Sequence, residues 1–443
     1  MQFIDPRPRP GAKSALRRLP TGIRPRTRAA RGTARRRRTL TGCAAAALVL
    51  ALGAAPAVPA SAAPAAPAAP AATDPGPPGD AFYTPPSPLP AGEPGDVIRA
   101  RPAKAGPPTA RGLADAWQVM YLSTDALGER VAVTGIVLVP KGGDAAAAPV
   151  VGFGPGTSGP SFRCAPSRFI DQGAFYEQAA LNEMLAAGYA VAVTDYEGYQ
   201  QNPRTTYIVH SMGNALIDAV RAAQRLEEAG LSDTAPVAFR GYSQGGAAAM
   251  WAGQKQPAYA PELDVAGIVG GGVPSDLAAV GIALEGADPF GFLLYSMVGM
   301  NNAYPELDLE SYVNDAGRAM LSAFENDTCT LELLLDHQGK TVPDYFTTSP
   351  YASTPWLERV AENTLGGQAP QAPVFQYHSR ADEIVAFGQA DRLHRDYCSL
   401  GVPLTWKAWD GVGHITLVYR GNEDAMAFLG DRFAGEPATS NCA

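Results

Sequence analysis

Val237-Ala238-Phe239-Arg240-Gly241-Tyr242-Ser243-Gln244-Gly245-Gly246-Ala247-Ala248-Ala249-Met250-Trp251 passes from an apolar, strand-like run straight into an alanine-rich, helix-like one. At the junction stands the pattern Gly241-x-Ser243-x-Gly245. A strand that turns into a helix within one residue forces that residue into a strained backbone. Glycines two positions to either side let neighbouring chains come close. The serine hydroxyl is then held at a helix N-terminus, whose dipole favours an anion. With 47 glycines in 443 residues the pattern alone is weak, and an ordinary tight turn is its plain alternative. The flanking strand and helix decide for a nucleophile, Ser243. The backbone N–H of Gln244 is then the first donor to the oxyanion that attack creates.

Such a serine needs a base, and the chain has five histidines. His210 and His337 lie outside the late strands. His394 sits in an amphipathic helical stretch, and His378 ends a strand. His414 stands in Gly411-Val412-Gly413-His414, read as a loop just after the last strand. Where a sheet carries this elbow, the partners follow in the order Ser, Asp/Glu, His. Asp382, in Arg380-Ala381-Asp382-Glu383, follows a strand and precedes His414, with Glu383 and Asp410 as alternatives for the acid. The second oxyanion donor is expected from Pro155-Gly156-Thr157-Ser158-Gly159, after the strand Val150–Phe153; Thr157 is the first choice and Ser158 the second.

Outward from this centre, short apolar strands alternate with helices. Trp117–Leu122 and Val131–Val139 read as a hairpin around Asp125-Ala126-Leu127-Gly128. Strands follow at Val150–Phe153, Tyr189–Thr194, Val237–Gly241, Val265–Gly270, Val374–Tyr377 and Leu404–Ala408. Helices are read at Phe175–Ala187, Ser211–Ala229, Gln244–Lys255 and Ala386–Tyr397. This rhythm predicts an α/β fold with a mainly parallel sheet covered on both faces. Residues 275–370 break it with helical stretches and no strand alternation, so they are expected to form an inserted helical cap between core parts at 109–274 and 371–443. Within the cap, Phe290 to Met300 is the most apolar run. Phe290, Phe292, Leu293, Leu294, Met297 and Met300 are its candidates to line an acyl tunnel, Leu294 and Met297 foremost as substrate-binding residues, with the cap's own core as the plain alternative for each.

The N-terminal region is of another kind. Residues 1–62 hold 13 basic residues and one acid, which leaves 22 basic and 42 acidic residues in the rest of the chain. Arg35-Arg36-Arg37-Arg38, the apolar Ala44–Ala55 and the small Ala60-Ser61-Ala62 together read as a signal peptide, too short in its apolar part for a membrane span. Arg37-Arg38-Thr39-Leu40 also fits a twin-arginine signal, so export by either route is expected. Residues 63–108 are rich in Pro and Ala and are expected to be a disordered leader, with folding starting near Leu113. An acidic body repels nucleic acid and anionic surfaces, so no nucleic-acid partner is expected. Cys164, Cys329, Cys398 and Cys442 remain after the signal, an even number that suggests two disulfides in one of three connectivities. No metal or cofactor is implied, and no obligate protein partner.

Several segments in order resemble the secretory lipase family, the lipases of the Candida antarctica lipase A type. They are Cys164-Ala165-Pro166-Ser167, Asp195-Tyr196-Glu197-Gly198, Gly241-Tyr242-Ser243-Gln244-Gly245-Gly246, Asp382-Glu383-Ile384-Val385 and Gly413-His414. The resemblance spans Trp117 to Cys442. It implies an α/β-hydrolase fold with the triad on Ser243, Asp382 and His414, a helical cap at about 275–370, and disulfides Cys164–Cys329 and Cys398–Cys442. One departure stands out: the lipase A type has an acidic residue in its oxyanion loop, where this chain has Gly156-Thr157-Ser158-Gly159.

The expected activity is hydrolysis of carboxylic esters, lipid esters foremost, with transient contact to a lipid interface. Two rivals use the same fold. An aminopeptidase would need carboxylates for the substrate amine, for which Glu306, Asp308 and Glu310 are candidates. A secreted binding protein would have no use for the strained serine.

Overall fold

Strands β4 (Val150–Gly154), β5 (Ala190–Thr194) and β6 (Val237–Tyr242) are buried at every position. Strands covered on both faces cannot alternate apolar with polar residues, which is why these segments read as continuous apolar runs. The computed structural model describes residues 73–200 and 204–442. The expected signal peptide, residues 1–62, lies outside them. Nine strands form one sheet in the order β1-β2-β3-β5-β4-β6-β7-β8-β9. The remaining strands are β1 (Val97–Ala103), β2 (Ala114–Thr124), β3 (Arg130–Pro140), β7 (Val265–Gly271), β8 (Val374–Ser379) and β9 (Leu404–Trp409). From β5 to β9 every neighbouring pair is parallel, and β1, β2 and β3 extend the β5 edge in antiparallel fashion. The fold is that of an α/β-hydrolase.

The helices are α1 (Pro166–Gln172), α2 (Gln178–Ala186), α3 (Ser211–Arg225), α4 (Gln244–Tyr259), α5 (Leu277–Leu284), α6 (Gly291–Ala303), α7 (Asp315–Asn326), α8 (Thr330–Leu335), α9 (Val342–Tyr345), α10 (Thr354–Glu362), α11 (Phe387–Ser399), α12 (His414–Arg420) and α13 (Asn422–Phe433). One apolar core packs α3 and α4 against one face of the sheet, and a second packs α1, α2 and α13 against the other. Helices α5 to α10 all fall between β7 and β8. Their own interior is built from Phe290, Leu294, Met297, Phe324 and Trp356, all buried. The disulfide Cys164–Cys329 ties the segment before α1 to the start of α8, and Cys398–Cys442 ties α11 to the C-terminal tail.

Three expectations are corrected. Folding does not start near Leu113: Phe82 and Tyr83 are buried, the Tyr83 hydroxyl is 2.8 Å from both Ser167 Oγ and Gln118 Nε2, and β1 pairs with β2. Composition averages over a segment, whereas two aromatic anchors and one edge strand suffice to hold it once β2 offers an edge. The helix expected over Phe175–Ala187 begins at Gln178, and α1 precedes it. His414 is not in a loop but is the first residue of α12.

Candidate active site

β6 ends at Tyr242 and α4 begins at Gln244, so Ser243 alone makes the turn, at φ 55° and ψ −120°. A side chain avoids that positive-φ region unless its surroundings impose it. They do so here. A Cβ on Gly245 would lie 1.8 Å from the Gly154 carbonyl oxygen, and one on Gly241 would lie 2.1 Å from that of Gly245. The Ser243 N–H donates to the Gly271 carbonyl at 2.9 Å, which fixes the elbow to β7. As the first residue of α4, Gln244 has an N–H with no acceptor inside the helix.

The register of the sheet brings in the next element. Gly154 of β4 stands opposite Gly241 of β6, so the loop Pro155 to Pro160 leaves the sheet beside the elbow. Each part of this loop is held from outside. The Tyr196 hydroxyl donates to the Pro155 carbonyl at 2.7 Å, the Gly156 N–H donates to Glu177 Oε1 at 2.7 Å, and the Tyr199 hydroxyl donates to the Gly159 carbonyl at 2.5 Å. Thr157 Oγ1 is 2.8 Å from the Tyr207 hydroxyl. Thr330, on α8, donates its hydroxyl to the Thr157 carbonyl and its N–H to the Ser158 carbonyl at 3.0 Å. Glu177 engages the Gly156 N–H, whereas the Thr157 N–H has no acceptor among the described residues, and Thr157, unlike Ser158, lines the catalytic cavity.

His414 and Asp382 meet at the carboxyl end of β8 and β9. His414 Nδ1 is 2.7 Å from Asp382 Oδ2, and both side chains are almost wholly buried. The other Asp382 oxygen accepts the N–H groups of Ile384 and Val385 at 3.0 and 2.7 Å. Burial pushes the Asp382 carboxyl up, but His414, His378 and the Val385 N–H together outweigh it, so its pKa is held below the usual aspartate value. The alternatives for the acid go elsewhere. Asp410 is exposed and pairs with Arg380. Glu383 accepts the His414 backbone N–H at 2.9 Å, so it anchors the start of α12 and not the ring. The Tyr242 hydroxyl donates to the His414 carbonyl at 2.8 Å, a second anchor. His378, the rival base, is fully buried, with Nε2 2.8 Å from the Val385 carbonyl and 3.3 Å from Asp382 Oδ2. Burial lowers its pKa.

Ser243, His414 and Thr157 open onto one cavity of about 310 Å³ whose walls are otherwise mostly apolar. Of the tunnel candidates, Phe292 and Leu293 line it, whereas Leu294 and Met297, the foremost choices, do not, which corrects that expectation. The wall is made by Phe292, Leu293 and Ser296 of the same helix, with Leu277, Val280 and Leu284 of α5 opposite. The first turns of α6 are apolar on nearly every side, with Ser296 the one polar interruption before Asn301, so the apolar pattern does not single out the face that meets the cavity; Leu294 and Met297 turn into the packed interior of the helical segment. Glu177, Thr330 and Glu383 as anchors were not anticipated either. They act through backbone groups far away in sequence, and no motif marks such contacts.

Residues 168–441 match the family profile described as secretory lipase. A "Secreted triacylglycerol lipase LIP1" of Malassezia furfur is 27% identical over 385 residues, covering 82% of this chain and 77% of the relative. A protein of Mycobacterium tuberculosis described as a probable inactive lipase is 28% identical over 382 residues, covering 82% of this chain and 83% of its own. Among solved structures, Candida antarctica lipase A superposes with a TM-score of 0.72 at 24% identity, over 79% of this chain and 84% of that one. The chain belongs to the secretory lipase family.

Proposed function

We propose that this protein is an exported carboxylic-ester hydrolase that cleaves acylglycerols and other lipid esters through an acyl-enzyme on Ser243. One observation carries the reading: a strained serine, a buried His–Asp pair and the loop residue Thr157 converge on one apolar cavity. His414 takes the proton of Ser243 as the oxygen attacks the ester carbonyl. Asp382 holds the ring through Nδ1 and stabilises the imidazolium. The Gln244 and Thr157 N–H groups bind the oxyanion. The alcohol leaves with the proton from His414, and water then releases the acid by the same steps in reverse.

The cavity supports a lipid over a peptide. Among the described residues no carboxylate lines it. The acids that an aminopeptidase might use lie elsewhere: Glu306 pairs with Arg359, and Asp308 and Glu310 border a separate polar depression. At the mouth, Leu331, Ile415, Tyr419 and Tyr176 line the cavity yet are 62%, 48%, 51% and 40% exposed. Large apolar side chains left in water around an apolar opening fit contact with a lipid surface. Two disulfides agree with an oxidising, extracellular setting.

The test is a panel of p-nitrophenyl esters of increasing acyl length, run beside aminoacyl p-nitroanilides. Esters are expected to turn over, long ones best, and the anilides to be inert. A fluorophosphonate should label Ser243, and Ser243→Ala should remove both labelling and turnover, a loss of about 10⁶ in kcat. Labelling at another serine, or anilide turnover above ester turnover, overturns the reading.

A further inference from the structure

We infer that Glu177 is the positioning residue of the oxyanion loop, its carboxylate holding the Gly156 peptide so that the next amide, that of Thr157, faces the catalytic cavity. The inference rests on the reading of Ser243 and Thr157 proposed above.

The loop from Pro155 to Pro160 is fastened almost entirely through its carbonyls: Tyr196 holds Pro155, Thr330 holds Thr157 and Ser158, Tyr199 holds Gly159 and Thr205 holds Pro160. Among the described residues Glu177 alone takes an N–H of this loop, at 2.7 Å, and it takes the one directly before Thr157. Gly156 is the residue that most needs such a hold. Glycine leaves its own dihedrals nearly free, and a Cβ there would have to displace the Tyr176 hydroxyl, 2.1 Å away. With the Gly156 N–H fixed on one side and the Thr157 carbonyl fixed on the other, the peptide between them has one orientation. An oxyanion donor stabilises the transition state only if it is aimed before the charge develops.

The burial of Glu177 argues the same way. The residue is 4% exposed, at the start of α2, and burial pushes its carboxyl up to about 7 despite the Gly156 N–H and the charge of Arg240. A buried carboxylate is costly, and an apolar side chain of similar volume often serves stability as well or better. Stability therefore gives no reason for a glutamate here, whereas aiming a peptide does.

The experiment measures kcat and KM on a butyryl and a decanoyl ester for wild type, Glu177→Leu, Glu177→Asp and Glu177→Gln, with folding followed by circular dichroism. Leu removes the acceptor. Asp keeps the charge but is one methylene too short to reach Gly156. Gln keeps an acceptor oxygen at the same reach. Glu177→Leu and Glu177→Asp are expected to lose on the order of 100-fold in kcat on both esters, the scale of one oxyanion donor, with KM within about threefold. Glu177→Gln should stay within about fivefold of wild type. If Glu177→Leu does not fold, the Asp and Gln pair decides. A folded Glu177→Leu or Glu177→Asp with kcat within about threefold of wild type overturns the inference, as does a loss that appears only in KM. A wild type that neither hydrolyses esters nor labels at Ser243 removes the reading of the site, and this inference with it.

Discussion

Glu197→Gln should stabilise this protein at pH 8 and leave it unchanged at pH 4. Glu197 lies just after β5, 5% exposed, with Ser211, Lys255 and Asp125 as its polar neighbours. Burial raises its carboxyl from 4.5 to about 7; Ser211 and Lys255 pull it down and Asp125 pushes it up. A carboxyl with a raised folded pKa holds its proton more tightly folded than unfolded. Its favourable contribution is therefore complete below pH 4.5 and is lost as pH rises through about 7. The size of the shift corresponds to roughly 3 kcal/mol at pH 8. Gln mimics the protonated form at every pH, so the variant escapes the loss. Unfolding entropy is about 2.1 cal/mol/K per residue, so for the roughly 370 residues from Thr73 to Cys442 the gain in Tm is about 4 °C. Thermal unfolding at pH 4, 6 and 8 reads it directly. A Tm difference that is the same at pH 4 and pH 8 would refute the reasoning, because it would mean that no buried charge forms. A variant less stable than wild type at pH 8 would mean that the carboxylate is well paired. Glu177, raised to about 7, and Asp218, raised to about 6, give the wild type a slope of the same sign.

Asp382→Asn should cut kcat by about 10⁴ with little change in fold, since an amide oxygen can still accept the Ile384 and Val385 N–H groups but no longer fixes the His414 tautomer; a loss under tenfold would return Glu383 to consideration. Leu293→Asp should lower kcat/KM on decanoyl relative to butyryl esters by about tenfold, as two methylenes losing their wall at ~0.8 kcal/mol each would do. Leu294→Ala, in the packed interior, should lower stability by about 2–5 kcal/mol with chain-length preference unchanged; the opposite pattern would reverse the face of α6 assigned to substrate. Cys442→Ser opens a bridge across 44 positions and should cost up to about 4 kcal/mol in thermal stability. It should leave kcat nearly intact, because Glu383 and Tyr242 hold His414 independently of that bridge. A collapse of kcat at unchanged Tm would show that the tail supports the site.

What the sequence by itself determined was local or ordered along the chain. The elbow at Ser243 is legible because strand, glycine, serine, glycine and helix are adjacent, and the order Ser243, Asp382, His414 is a property of connectivity. The strands β4, β5 and β6 are legible because burial on both faces leaves nothing but apolar residues. What only the tertiary structure decided was which groups at long sequence distance share a site. β1 reads as leader because an edge strand acquires its meaning from the partner it pairs with. Asp382 and Glu383 are chemically alike neighbours, and only the position of α12 shows that one meets the imidazole and the other the backbone N–H. Leu293 and Leu294 are alike neighbours in the apolar first turns of α6, so helix packing turns one to the cavity and the other away from it. Glu177 reaches Gly156 across 21 positions. Such contacts leave no periodic or spaced trace, because they depend on where the sheet brings two loops together and not on what either loop contains.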